Sequence, residues 1–304
     1  MIDALPLPQP LLRRIGAAAS EMMGSAPGMD FDFAAPAGEP ALIPADSVSW
    51  RVFKNPVTLF IGGVAAVILE LAEPGVRDGV WQHSNFRIDA LTRLRRTGLA
   101  AMMSVYGPRS SAEAMIARVV RAHDRVTGTT SEGTPYRAND PVLLDWVQAT
   151  ASYGFIRAYH AYVEPLSYRE RDSALAEGAT VARLYGAVAA PRSEAKMAAL
   201  FASMDVRLVP SPILHEFLEI MRSVPALPRI ARPFQRVLLR ASVSLLPDPL
   251  IERLGLEDWR LRRFERKLVR AVARFADRVP LLDSPAAKAS ERLGLPADWL
   301  WREH

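Results

Sequence analysis

Arg93, Arg96 and Thr97 stand three and four residues apart in RIDALTRLRRTGLAAMMSVYG (87–107), so a helix stacks them on one face. Two guanidinium groups and a hydroxyl on one face suit a bound anion or the wall of a polar pocket. The competing explanation is a solvated helix edge, since long cationic side chains usually reach water. A second chemical group is His123. In SAEAMIARVVRAHDRVTG (111–128), Ile116, Val119, Val120, His123 and Val126 share one helical stripe, which turns the imidazole inward. A lone inward histidine is either a satisfied core residue or a ligand, and imidazole is the usual axial ligand of haem iron. A haem pocket also needs cations for the propionates, and the Arg93/Arg96/Thr97 face has them.

Composition removes many other chemistries. The 304 residues include no cysteine, which excludes disulfides, zinc–thiolate sites, cysteine nucleophiles, iron–sulfur clusters and covalent c-type haem. The five histidines are His83, His123, His160, His215 and His304, and none forms an HExxH pair. No GxSxG elbow marks a serine hydrolase.

The elements that must position these groups read as helices. Capping signals open many of them: Ser110 with Glu113 before 111–127, Asp140-Pro141 before 141–163, and Ser167 with Glu170 before 168–187. Ser193, Ser211-Pro212, Arg232-Pro233 and Ser284-Pro285 punctuate the remainder. Only VRLVPS (206–211) reads as extended, and GTTSEGTPYRAND (128–140) reads as a polar connection. The expected fold is all-α, one large domain of roughly ten helices around a central apolar helix. That helix is PVTLFIGGVAAVILELA (56–72), whose only charge is Glu70. It is short for a membrane span and suits the centre of a helical protein, so a cytoplasmic protein with no transmembrane segment is expected. Residues 1–46 are expected to form an N-terminal helix after Arg13-Arg14 and a Gly- and Pro-bearing loop or lid over 24–46. The main helical body is expected over 47–256, with a basic amphipathic helix and a short terminal helix over 257–304.

The net charge of +5 is concentrated at one place. Residues 260–278 carry eight basic side chains against Glu265 and Asp277, a net of +6, and the remainder is close to neutral. The stripe Leu261, Phe264, Leu268, Val272 and Phe275 is expected to dock this helix on the body. Weak contact with a membrane surface is the next reading, and nucleic acid is not expected.

The runs GVWQHSNF (79–86), RLRRTG (93–98), RVVRAHDRVTGTTSEGTPYRANDPVLLDWVQAT (118–150) and ASVSLLPDPLIERLGL (241–256) together resemble the MpaB/latex-clearing-protein family, in order and with similar gaps. The resemblance spans about Trp50 to Leu256. It implies an all-helical oxygenase with non-covalent haem b and dioxygen, acting on a hydrophobic, isoprenoid-like substrate. It further implies His123 as the iron ligand, with Arg93, Arg96 and Thr97 beside the haem on the opposite side. Arg96 stands where the latex-clearing branch has Lys; a guanidinium keeps its proton and does not ligate iron, so Arg96 is expected to donate hydrogen bonds instead. Glu73-Pro74 stands where many relatives have His-Pro. Of the remaining histidines, His83 is the one expected near the site, or else tying the 75–88 loop to a neighbouring helix. Asp78 and Glu73 are the expected proton acceptors. The alternative from another class is a non-catalytic helical protein that binds haem, a lipid or a terpenoid.

Overall fold

The computed structural model describes residues 29–302 apart from Ile230, together with Pro8, Ile15 and Gly16. The expected N-terminal helix lies, but for Ile15 and Gly16, outside the described residues. Among the described residues thirteen α-helices follow in chain order from Val48. They are α1 (Val48–Phe53), α2 (Pro56–Ala72), α3 (Pro74–His83), α4 (Ala90–Tyr106), α5 (Arg109–His123), α6 (Pro141–Tyr162) and α7 (Tyr168–Leu184). After them come α8 (Glu194–Met204), α9 (Pro212–Ser223), α10 (Arg232–Val243), α11 (Asp248–Arg253), α12 (Arg263–Asp277) and α13 (Pro285–Arg292). The fold is all-α, with one small antiparallel pair of strands, β1 (Thr127–Thr129) and β2 (Pro135–Arg137).

Helix α2 lies at the centre for local and tertiary reasons. Asn55 caps it by accepting from the Val57 and Thr58 amides, and Pro56 occupies the first turn, where its missing N–H costs nothing. Ile61, Val64, Ala65, Ile68, Leu69 and Ala72 are all buried. Gly62 and Gly154 let α2 and α6 cross with their backbones in contact: a Cβ on Gly62 would stand 2.7 Å from the Gly154 carbonyl oxygen. Trp146 Nε1 of α6 donates to the Leu69 carbonyl at 3.2 Å and closes the same crossing. Among the described residues no single helix is long and apolar enough to cross a membrane.

A second core cluster joins Trp50, the C-terminal half of α4 (Met103, Val105, Tyr106), Ile116 of α5 and Trp301. The 29–46 segment belongs to it through Phe33, Ala41, Leu42 and Ile43. Buried Arg292 of α13 ties these parts together. Its Nε donates to Glu39 O, Nη1 to Phe33 O and Nη2 to Tyr106 O, each between 2.7 and 2.8 Å.

Several caps form as the residue types dictate: Asp140 on α6, the Ser167/Glu170 box on α7, Ser193 on α8, Ser211 on α9 and Ser284 on α13. Four local readings are corrected. The Ser110/Glu113 box does not form, because the amide and hydroxyl of Ser110 both donate to Glu39, and α5 begins at Arg109 instead. That helix stops at His123, where Asn139 Nδ2 donates to the Val120 carbonyl, and the following polar run is a hairpin that turns through Gly133 at φ +86. The 206–211 run is no strand: a 3-10 turn covers Asp205–Arg207, and the Val209 amide donates to the Ala72 carbonyl. The fourth concerns α12, which docks by Val269 and Ala273 with two buried acids, Glu265 and Asp277, while Phe264, Leu268 and Phe275 face outward. The polar anchors beat the apolar stripe because both acids find cations, the half-buried Arg240 and the buried Lys54.

Candidate active site

A cavity opens where α2, the first turns of α4 and the Phe217–Ala226 region meet, enclosing about 1200 Å³ of non-atom space with its mouth included. Its wall is almost wholly apolar, with Leu59, Phe60, Val64 and Val67 from α2, Leu94, Leu99 and Met102 from α4, and Phe86, Phe155, Phe217 and Met221 completing it. Gly63 and Gly98 widen it, since a Cβ on Gly98 would meet nothing within 4 Å. Four polar side chains interrupt this lining: Glu70, Arg93, Arg95 and Thr97.

Glu70 is the unusual one. Burial pushes its carboxyl up to about 7, against the pull of the Arg93 charge and a weak contact with Thr150. The Thr150 hydroxyl lies 3.4 Å from Glu70 Oε1 but 2.8 Å from the Val147 carbonyl, and its one hydrogen serves the shorter contact. Glu70 therefore has little to hold a negative charge except Arg93. It is half-buried because its side chain borders the void, although protein atoms surround it on the other sides.

Arg93 is locked along its helix. Nη1 donates to Thr97 Oγ1 at 2.8 Å, and the Thr97 hydroxyl donates to the Arg93 carbonyl at 2.9 Å. Burial pulls the guanidinium below its ordinary range, Glu70 pulls it back up, and Arg96 pushes it down again. Arg93 also acts on His123: burial first, then the Arg93 charge, lowers the imidazole below its usual value. His123 is half-buried at the last turn of α5; its Nδ1 is buried without a well-aligned hydrogen bond, and the neighbouring Asn139 side chain and Asp124 pull the imidazole back up. It is a neutral imidazole at neutral pH.

The structure puts Arg93 and Thr97 on the cavity wall, while His123 lies outside that lining and is near enough for the Arg93 charge to act on it. Arg96 is exposed and outside the lining, its charge acting on Arg93 and Asp89. Asp78 is elsewhere: it accepts from Arg77 Nε and from the Ser131 amide, both at 3.0 Å, and so anchors the hairpin. Glu73 caps α3 through the Val76 amide and pairs with Arg207. His83 closes α3, a helix where a loop was expected, and its exposed ring stands edge-on to Tyr136 at 6.4 Å. Sequence reasoning passed over Glu70, whose signal was plain: the single charge in a 17-residue apolar helix. Among the described residues no three His, Asp or Glu side chains cluster as a metal-ion ligand set.

A family model described as ER-bound oxygenase mpaB/B'/Rubber oxygenase, catalytic domain, matches residues 50–278. No curated protein and no solved structure matches the chain. The match covers most of the chain, including every wall of the cavity, and the chain belongs to the mpaB/rubber oxygenase catalytic-domain family.

Proposed function

We propose that this chain is a haem b-dependent oxygenase that uses dioxygen on an apolar, alkene-bearing substrate held in the α2/α4 cavity. The observation that carries the reading is Glu70 with Arg93 in a largely apolar cavity, backed by His123, whose imidazole is held below its usual value by burial and the Arg93 charge. A neutral imidazole is the form that ligates metal. No protein ligand set of three exists among the described residues, so an iron at His123 fits a macrocycle that brings its own nitrogens. His123 would hold the haem, and Arg93 stands where its positive charge can meet a propionate or a bound anion. Haem supplies the dioxygen chemistry when bound.

The chain's own groups do the rest. The apolar walls select a greasy substrate and keep water out, which strengthens the field of Arg93 inside. Glu70, titrating near neutrality, can take a proton from an allylic carbon and return it, the work of a general base tuned to ambient pH. Thr97 fixes the Arg93 side chain. Arg96, on the exposed side, modulates Arg93 through its charge.

Expression with iron and haem precursor should give a red-brown protein with a Soret band, and His123→Ala should lose that band while keeping its helical circular dichroism. Glu70→Gln should keep the band and lose dioxygen uptake with isoprenoid alkenes by roughly 10²–10⁴-fold. A colourless wild type that also refuses added hemin would overturn the haem assignment. A red protein that consumes no dioxygen with any such alkene would instead point to a carrier.

A further inference from the structure

Helix α12 is fixed to the body by its acids and presents an outer face of a different kind. Both acids of the 262–278 stretch turn inward. Glu265 accepts from Arg240 Nη1 at 2.8 Å and from the Arg262 amide, and Asp277 pairs with Lys54 Nζ at 3.3 Å. Arg270 and Arg274 donate through Nε to the Ala161 and Val163 carbonyls at the end of α6, where a cation also meets the helix dipole. What remains outward is Phe264, Leu268 and Phe275, at 64%, 47% and 45% exposure. At about 100° per residue these three form one stripe. Arg263, Lys267, Arg270 and Arg274, all exposed, run along one border of it, and no acidic residue of 262–278 is exposed.

We propose that this face docks the protein on an anionic lipid bilayer. Phe264, Leu268 and Phe275 would enter the boundary between headgroups and acyl chains, and the basic border would lie among lipid phosphates. Charge complementarity selects the occupant. An outward surface of one sign calls for an anionic partner, and three large apolar side chains at its centre call for one with an apolar interior beneath the charge. Nucleic acid meets only the first demand, and a neutral hydrophobic groove only the second. The inference stands apart from the proposed chemistry, since none of these residues lines the cavity.

The full chain is mixed with vesicles of phosphatidylcholine containing about 30% phosphatidylserine, or of phosphatidylcholine alone, and pelleted. Binding is expected to the anionic vesicles only, and to fall as salt rises toward about 1 M. The triple change Phe264→Ser, Leu268→Ser, Phe275→Ser should abolish pelleting with no loss of thermal stability, because the three side chains are exposed. Arg263→Glu with Lys267→Glu should weaken binding at least 25-fold, roughly fivefold for each charge removed and more for its reversal. Equal binding to neutral vesicles, or unchanged binding by both variants, would overturn the proposal. So would a dimer in light scattering that the triple variant dissolves, which would assign the face to a second copy of the chain.

Discussion

Asp277 and Glu70 are both carboxylates withdrawn from bulk water beside a cation, yet their neighbours differ in kind. Asp277 faces Lys54 at 3.3 Å, Asn55 Nδ2 at 3.2 Å and the Tyr159 hydroxyl at 3.3 Å. Lys54 in turn donates to the Leu300 carbonyl. Burial raises the Asp277 carboxyl and Lys54 opposes it, so the ion is held inside a complete set of donors. Such an arrangement ties α12 to the start of α2 and has no reason to change. Glu70 borders a void, with the Arg93 charge near it and one hydroxyl whose hydrogen goes elsewhere, and burial pushes it up to about 7. Burial alone thus separates nothing; the completeness of the donor set distinguishes a carboxylate that holds the fold from one available for proton transfer.

Four changes sharpen or break this contrast. The largest effect is expected from Lys54→Met, which strands Asp277 without its cation and should cost about 3–5 kcal/mol in urea unfolding at pH 7. The loss should shrink at acidic pH as Asp277 is protonated, and a loss under about 1 kcal/mol would mean that the pair is not holding the ion. Next is Glu70→Gln, with the opposite sign. An unfolded carboxyl ionises near 4.5 and the folded Glu70 near 7, so the folded chain keeps the extra proton between them. Stability then falls as pH rises through that window and levels off above it, by on the order of 3 kcal/mol before discounting for water in the cavity. The variant lacks this slope and should be the more stable protein at pH 8; parallel stability curves for the two proteins would refute the assignment. Arg93→Gln removes the charge that favours the Glu70 anion, so the decline should start at the same pH but extend further upward, with about 1 kcal/mol at stake. The smallest effect belongs to Thr150→Val. Its hydroxyl hydrogen goes to Val147, so only a few tenths to about 1 kcal/mol should be lost, with the Glu70 carboxyl moving only slightly upward.

The helical class was legible because capping residues act locally: Asp140, Ser167, Ser193, Ser211 and Ser284 each cap the helix that follows them. Ser110 failed the same reasoning because a residue 71 positions away, Glu39, competes for its amide and hydroxyl. The pairing of Arg93 with Thr97 followed from helical spacing, and the inward turn of His123 from periodicity. That Asp78 drew attention and Glu70 did not has one reason. Which carboxylate finds donors depends on tertiary neighbours: Ser131 and Arg77 satisfy Asp78, while nothing comparable reaches Glu70. The orientation of α12 was hidden in the same way, since Lys54 and Arg240, both distant in sequence, decide which side of it is buried.

Arg292 lies fourteen residues beyond the stretch that the family model matches. Its guanidinium takes up the last carbonyl of α4, the helix whose other end carries Arg93 and Thr97 on the cavity wall. Trimming the polypeptide to positions 50–278 would leave that oxygen in apolar surroundings with its donor gone, and would remove the 33–40 strap that the same guanidinium holds. The matched segment is thus the bearer of the chemistry but not a self-sufficient body: its cavity wall is pinned in place by a clasp borrowed from outside it.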